Sequence, residues 1–248
     1  MSVIAWAHRG GALLPANVGI ENTLRAFRNA VDLGYSHLET DVHASRDGVL
    51  YAFHDTNLLR MTGRSARISE LASADIDSLR VGGREPLLRI AELIEAFPGC
   101  RFSIDVKSDD AVDLAIEEFR RLAVDDRLIV GSFDHRRTLR LRAGLPRAVS
   151  ALSRREMAWL VSGGPVPRRT VAAAPVTWGG VPIITPRLVA RAKRRGIPVF
   201  AWTIDDADEM ARLLDLGVDG IMADQIDELR DLLLARGQWP SPPPRVLP

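Results

Sequence analysis

Short apolar runs alternate with amphipathic stretches from the start of the chain almost to its end. Val3 to Ala7 reads as a strand. In Asn22 to Leu33, the residues Leu24, Phe27, Ala30 and Val31 share one stripe at helical spacing and Gly34 stops the run, so the segment reads as a helix. His37 to Val42 is strand-like, and Val49 to Phe53 is a second short extended run behind the turn pair Asp47-Gly48. Strand and helix then alternate: Arg101 to Val106 with Ala111 to Leu122, and Leu128 to Ser132 with Thr138 to Ala143, followed by fainter extended runs at Arg147 to Ala151 and Val171 to Ala174. Pro186 to Arg195 reads as a helix entering the strand Ile197 to Thr203. Ala207 to Leu216 reads as a helix before the strand Val218 to Met222, and Gln225 to Arg236 as the final helix.

Repeated strand–helix units imply a parallel sheet. About eight of them in 248 residues favour an α/β (β/α)₈ TIM barrel over an open doubly wound sheet. No glycine-rich dinucleotide fingerprint follows the first strand, which counts against a Rossmann fold. The polar stretch 56–89, with helical fragments such as Ile68 to Leu79, is expected to be a small insertion after the second strand that caps the barrel mouth. One domain over 1–236 follows, with the proline-rich tail 237–248 expected to be extended or disordered.

Composition adds little to the fold and narrows the function. Apolar residues at 46% and charged residues at 26% are those of a globular chain able to bury a sizeable core. The net charge of +1 gives no global pull toward nucleic acid or membrane, although a local basic surface remains open. No nucleic-acid partner is expected, because basic and aromatic residues are not interleaved. The single cysteine, Cys100, rules out a disulfide within the chain. No signal peptide and no span long enough for a bilayer is read, so no stable membrane insertion is expected and a cytoplasmic location is the default. Nearly all the cations are arginine, Lys107 and Lys193 being the only lysines. Lys193 looks like an ordinary solvated helix position, whereas Lys107 stands among candidate site residues.

In such a barrel the site lies at the C-terminal ends of the strands, and polar residues concentrate there. His8-Arg9-Gly10 closes the first strand, Glu39 and Asp41 the second, and Asp105 and Lys107 the third, while His54-Asp55 follows the short extended run. Residues two apart on a strand share a face, so Glu39 pairs with Asp41 in direction and Asp105 with Lys107. Three converging carboxylates repel unless a cation neutralises them, and a hard divalent ion, Mg²⁺ or Ca²⁺, is the natural partner. Solvated or salt-bridged strand ends are the plainer alternative for Glu39 and Asp41 taken alone. His8 and His54 are proton-transfer candidates, Arg9 offers a fork for phosphate oxygens, and Lys107 a compact charge for a developing anion. His37, His43 and His135 are read as structural or solvated. Ser132 and Trp202 end the fourth and seventh strands and are candidate lining residues.

Taken in order, these residues resemble the glycerophosphodiester phosphodiesterases. The family pattern of HRG, ENT, ExD and HD appears as His8-Arg9-Gly10, Glu21-Asn22-Thr23, Glu39-Thr40-Asp41 and His54-Asp55. The closing segments appear as Trp202-Thr203 and Gly217-Val218-Asp219-Gly220-Ile221. The resemblance covers nearly the whole chain and is weakest from about Leu145 to Pro182. It implies a (β/α)₈ barrel that hydrolyses a small-molecule glycerophosphodiester to glycerol 3-phosphate and an alcohol. It further implies His8 and His54 as the acid/base pair, Glu39 and Asp41 as metal ligands, Arg9 on the phosphate, and Glu21 supporting the site edge. Attack by the substrate's own glycerol hydroxyl is also implied, which fits the lack of an obvious protein nucleophile. Asp105-Val106-Lys107 departs from the family's ExK by one methylene, and Ile20 replaces a proline common before ENT.

Two alternatives stand beside that reading. One is cleavage of lysolipids in the manner of a lysophospholipase D, for which the polar insertion counts as contrary. The other is an inactive barrel that only binds a phosphate ligand, which the presence of His8, His54 and the carboxylates disfavours.

Overall fold

The computed structural model describes residues 3–239. Eight parallel strands close on themselves: β1 (Ile4–His8), β2 (His37–Ala44), β3 (Arg101–Val106), β4 (Leu128–Gly131), β5 (Val149–Ala151), β6 (Thr170–Ala174), β7 (Val199–Ala201) and β8 (Gly220–Ala223). Each pairs with the next, and β1 pairs with both β2 and β8, which completes a (β/α)₈ barrel. One helix follows each strand on the outside: α1 (Leu24–Asp32), α2 (Ile90–Ala96), α3 (Asp110–Arg121), α4 (His135–Gly144), α5 (Arg154–Ser162), α6 (Pro186–Arg194), α7 (Ala207–Leu216) and α8 (Ile226–Ala235). The sequence reading left α2 and α5 unassigned. Both are short, and Ser153, the residue that caps α5, gives only a brief signal: its hydroxyl accepts from the Glu156 N–H while the Glu156 carboxylate accepts from the Ser153 N–H.

The two-residue strand period sorts the core into two compartments. Trp6, Ile129, Val171, Phe200 and Met222 fill the barrel interior, whereas Ala5, Ala7, Leu38, Phe102, Ile104 and their neighbours face the helices. His37 belongs to the interior layer, edge-on to Trp6 with ring centroids 4.8 Å apart. One step further toward the C-terminal ends, the same inward parity carries His8, Glu39, Asp41 and Asp105.

The insertion does not cap the mouth as expected. It stands beside it. Leu50–Ala52 pairs antiparallel with the end of β2, and Leu88–Arg89 pairs with Leu50–Ala52 in turn, so the segment extends the sheet edgewise. Tyr51, Phe53, Leu58, Met61, Ile68, Ile76, Val81 and Leu87 give it a small core of its own. The extended run at 49–53 is therefore part of this flap and not a barrel strand. The region over the mouth is built instead by α5 and by a hairpin after β6, Thr177–Trp178 against Val181–Pro182, whose Gly179-Gly180 turn takes positive φ at both residues. Trp239 packs on Tyr35 with centroids 5.0 Å apart. The expectation for the proline-rich tail falls, from residue 240 onward, outside the described residues.

Candidate active site

The loop after β1 fixes the first cluster. Arg9, Gly10 and Gly11 all take positive φ. A side chain at Gly11 would stand 2.4 Å from the Ile226 Cδ1, so only glycine allows α8 to close on this turn. The buried Asn17 side chain donates to the Gly10 and Gly11 carbonyls at 2.8 and 3.1 Å. Asn22 donates its backbone N–H to the Arg9 carbonyl at 2.9 Å and accepts from the Thr40 hydroxyl at 2.8 Å. Thr23 caps α1 by accepting from the Ala26 N–H. The Glu21-Asn22-Thr23 run is therefore a latch that holds His8 and Arg9 at the mouth.

Strand register brings the remaining groups together: His8 lies opposite Glu39, and Asp41 opposite Asp105. His8 Nδ1 is 2.8 Å from Asp224 Oδ1, and its Nε2 is 3.6 Å from Glu39 Oε2. Burial opposes a charge on this imidazole, but the Glu39 carboxylate and the hydrogen bond to Asp224 outweigh it, and the His8 pKa is raised. Burial pushes the Glu39 carboxyl up to about 7, against the pull of His8. Lys107 Nζ sits between two carboxylates, 2.6 Å from Asp41 Oδ1 and 2.6 Å from Asp105 Oδ2. Burial alone would raise Asp41, yet Lys107 and Arg9 hold it below the ordinary carboxylate range. For Asp105 burial prevails and its pKa is raised. Arg9 reaches Glu21 at 3.1 Å and Asp41 at 3.5 Å. His54 Nδ1 is 2.9 Å from Asp55 Oδ1. Arg60 then ties Asp55 to Glu21, with 2.6 Å to the former and 2.7 Å to the latter. That hydrogen bonding from Arg60 lowers Asp55 to about 2.

A cavity of about 460 Å³ joins these groups. Its inner end is lined by His8, Arg9, Glu39, Asp41, His54, Asp105 and Lys107, with Ser132 and Trp202 also on the wall. All the catalytic, phosphate-binding and metal candidates read from the sequence thus face one space, and the two lining candidates do too. Glu21 and Asp55 stand behind it, holding Arg9 and His54. The sequence reading missed Asp224, which orients His8, and Arg60, which clamps the rim. Asp224 carried a usable signal, since it directly follows β8. Arg60 carried none, because the flap that delivers it is placed only by tertiary contacts. His135 is half-buried and not solvated, with Nδ1 2.8 Å from the Ser153 hydroxyl. The outer end of the cavity is apolar: Leu152, Met157, Ala158 and Val161 from α5 and its approach face Pro175, Trp178 and Ile183. Among the described residues none from 56 to 89 lines the cavity; His54, just before the insertion, does.

Among the described residues no group of three or more His, Cys, Asp or Glu side chains is arranged to hold a metal ion. Lys107 takes the position between Asp41 and Asp105. Glu39 and the buried, unbonded Asp41 Oδ2 remain. Two carboxylates fit a hard ion that completes its shell with water and substrate phosphate, as Mg²⁺ commonly does.

Comparison with known proteins agrees with this geometry. The sequence model of the Glycerophosphoryl diester phosphodiesterase family matches residues 8–228. A Mycobacterium tuberculosis protein named probable glycerophosphodiester phosphodiesterase 2 is 36% identical, across 95% of this chain and 92% of its own. The human lysophospholipase D GDPD1 is 26% identical, across 92% of this chain and 85% of its own. An Oleispira antarctica phosphodiesterase, solved in complex with the product sn-glycerol-3-phosphate, shares the fold with a TM-score of 0.77 at 19% identity, covering 94% of this chain and 97% of that one. With the barrel, the strand-end cluster and a match over most of its length in hand, the chain belongs to the glycerophosphoryl diester phosphodiesterase family.

Proposed function

We propose that the enzyme hydrolyses glycerophosphodiesters to glycerol 3-phosphate and an alcohol, with His8 and His54 as the acid/base pair. The observation that carries this reading is the two imidazoles facing one cavity, each with Nδ1 held by its own carboxylate, Asp224 or Asp55. Such a carboxylate fixes the ring and leaves Nε2 for proton transfer. One imidazole takes the proton of the substrate's glycerol hydroxyl as that oxygen bonds to phosphorus. The other gives a proton to the alcohol oxygen as its bond to phosphorus breaks. Water then opens the cyclic phosphate by the same groups in reversed roles. Arg9 and Lys107 lie where they can balance the charge on the phosphoryl oxygens. Glu39 and Asp41 would hold a divalent ion, which supplies further positive charge to those oxygens when bound. Asp105 holds Lys107. The test is glycerol 3-phosphate release from glycerophosphocholine and glycerophosphoethanolamine with Mg²⁺, with Ca²⁺ and with chelator, for the native chain and His8→Ala. Release that needs metal and is lost in the variant is expected; no release from the native chain with either ion would sink the reading.

A second substrate class has its own support. The apolar outer end of the cavity, from Leu152 to Val161 on one side and Pro175 to Ile183 on the other, suits an acyl chain. The polar insertion, which would have argued against lysolipids, does not form that wall. Choline release from lysophosphatidylcholine that improves with acyl length supports this reading, and indifference to acyl length removes it.

A further inference from the structure

A net charge of +1 conceals a strong asymmetry. From Arg147 to Pro198 the chain carries nine arginines and Lys193 against one acidic residue, Glu156, so the remainder is net negative. Glu156 is buried and bound to Arg142, which lies outside this stretch. Among the described residues, none of these ten cations forms an ion pair. Elsewhere surface arginines commonly do, as in Arg121–Glu118, Arg137–Asp109, Arg140–Asp113 and Arg212–Glu209. All ten are exposed except Arg191, which is half-buried. The β5-to-α6 sector is therefore unneutralised at both ends: Arg154, Arg155 and Arg187 begin α5 and α6 on the mouth side, and Arg168, Arg169 and Arg195 lie by the starts of the strands.

The same sector carries the apolar lip of the cavity. Pro175 to Pro186 contains no ionisable side chain, and every residue from 177 to 182 is exposed. At the hairpin Trp178 is 41% and Val181 60% exposed, and Val161 at the end of α5 is 45% exposed. Trp178 also lines the cavity, and the Arg154 guanidinium lies 4.2 Å from its ring centroid. An aromatic and aliphatic tip on the same end of the barrel as Arg154, Arg155 and Arg187, which begin α5 and α6, has the composition of an interfacial anchor, with the apolar side chains entering the acyl boundary and these cations meeting anionic headgroups. A nucleic acid would use the cations and could stack a base on Trp178, but it gains nothing from the exposed aliphatic Val181.

We infer that the mouth end of the β5–α6 sector docks on an anionic phospholipid surface, with the 177–182 hairpin as its wedge, Arg154, Arg155 and Arg187 beside it, and the apolar end of the cavity opening onto the bilayer. The inference rests on the lysolipid reading for its purpose. Binding is measured without turnover, so either can fail alone. The experiment is co-sedimentation of the full chain with vesicles of phosphatidylcholine alone and of phosphatidylcholine with phosphatidylglycerol, at low and high salt. Thermal melts check that each variant stays folded. Binding to the anionic vesicles, weakened by salt, is expected. The combined Arg154→Gln, Arg155→Gln and Arg187→Gln variant should bind about a hundredfold more weakly, each cation near an anionic bilayer counting for about fivefold. Val181→Asp should weaken binding by about tenfold, through lost burial and an added like charge at the headgroups. Equal binding to both vesicle types, no binding to either, or anionic binding indifferent to Val181→Asp would each overturn the inference. Equal affinity for an RNA homopolymer, likewise unchanged by Val181→Asp, would overturn it in favour of a generic polyanion.

Discussion

Lys107→Met tests whether the site's charges are balanced by the protein itself. The ammonium is 2.6 Å from both Asp41 and Asp105, and the side chains are 17%, 4% and 19% exposed. Removing one partner of so buried a cluster leaves charge without compensation, at a cost of about 3–5 kcal/mol. For a domain of this size that lowers the melting temperature by about 6–20 °C, at about 2–4 °C per kcal/mol. The assay is thermal unfolding by circular dichroism at neutral pH in chelator. Asp105 already has a pKa raised by burial with Lys107 pulling it down, and loss of the ammonium removes that pull, so the deficit should shrink as pH falls from neutrality toward the ordinary carboxylate range. Asp105→Asn combined with Lys107→Met removes one stranded charge and should recover part of the loss. Added Mg²⁺ should raise the melting point of Lys107→Met more than that of the native chain, because binding to the folded state stabilises it by mass action. A variant melting within about 2 °C of the native chain in chelator would refute the reasoning, since that shift corresponds to under about 1 kcal/mol.

Three further expectations concern single groups. Burial, helped by Arg101, lowers the His37 pKa to about 3. The unfolded chain therefore binds a proton below about pH 6.5 that the folded chain refuses, and stability should fall by about 1.4 kcal/mol per pH unit between about 6.5 and 3. His37→Phe, read by urea unfolding across that window, should flatten the slope, and an unchanged slope would count against the assignment. Asp224→Asn removes a group that raises the His8 pKa, so the limb of the kcat/KM profile belonging to His8 should move to lower pH, with loss of part of the roughly 10²–10⁴-fold that acid/base catalysis contributes. A limb that stays in place would mean His8 is not the titrating group. Glu156→Ala strips the counter-charge from Arg142, 2.8 Å away, and the acceptor of the Ser153 N–H at 3.0 Å. A loss near the low end of about 3–5 kcal/mol is expected, because Arg142 is partly solvated; denaturant unfolding that shows less than about 1 kcal/mol would refute it.

The local pattern of the chain determined a good deal. Alternating apolar runs and helical stripes announced the barrel, because each strand buries a face and each helix a stripe whatever its neighbours are. Period-two spacing placed Glu39 with Asp41 and Asp105 with Lys107 on common faces, since that parity is a property of the extended backbone alone. What the chain could not announce is register and closure. Asp41 meets Asp105 across β2 and β3, so Lys107 bridges two carboxylates. Asp224 reaches His8 only because β8 closes onto β1, across 216 residues of chain. Arg60 reaches Glu21 only because the flap lies along the edge of β2. The ten cations from Arg147 to Arg195 are countable in the sequence, but their freedom from carboxylate partners is not, for ion pairing depends on which surfaces folding brings within a few ångströms. Local periodicity fixes which way a side chain points along its own element; which other side chain it meets there is decided by long-range packing.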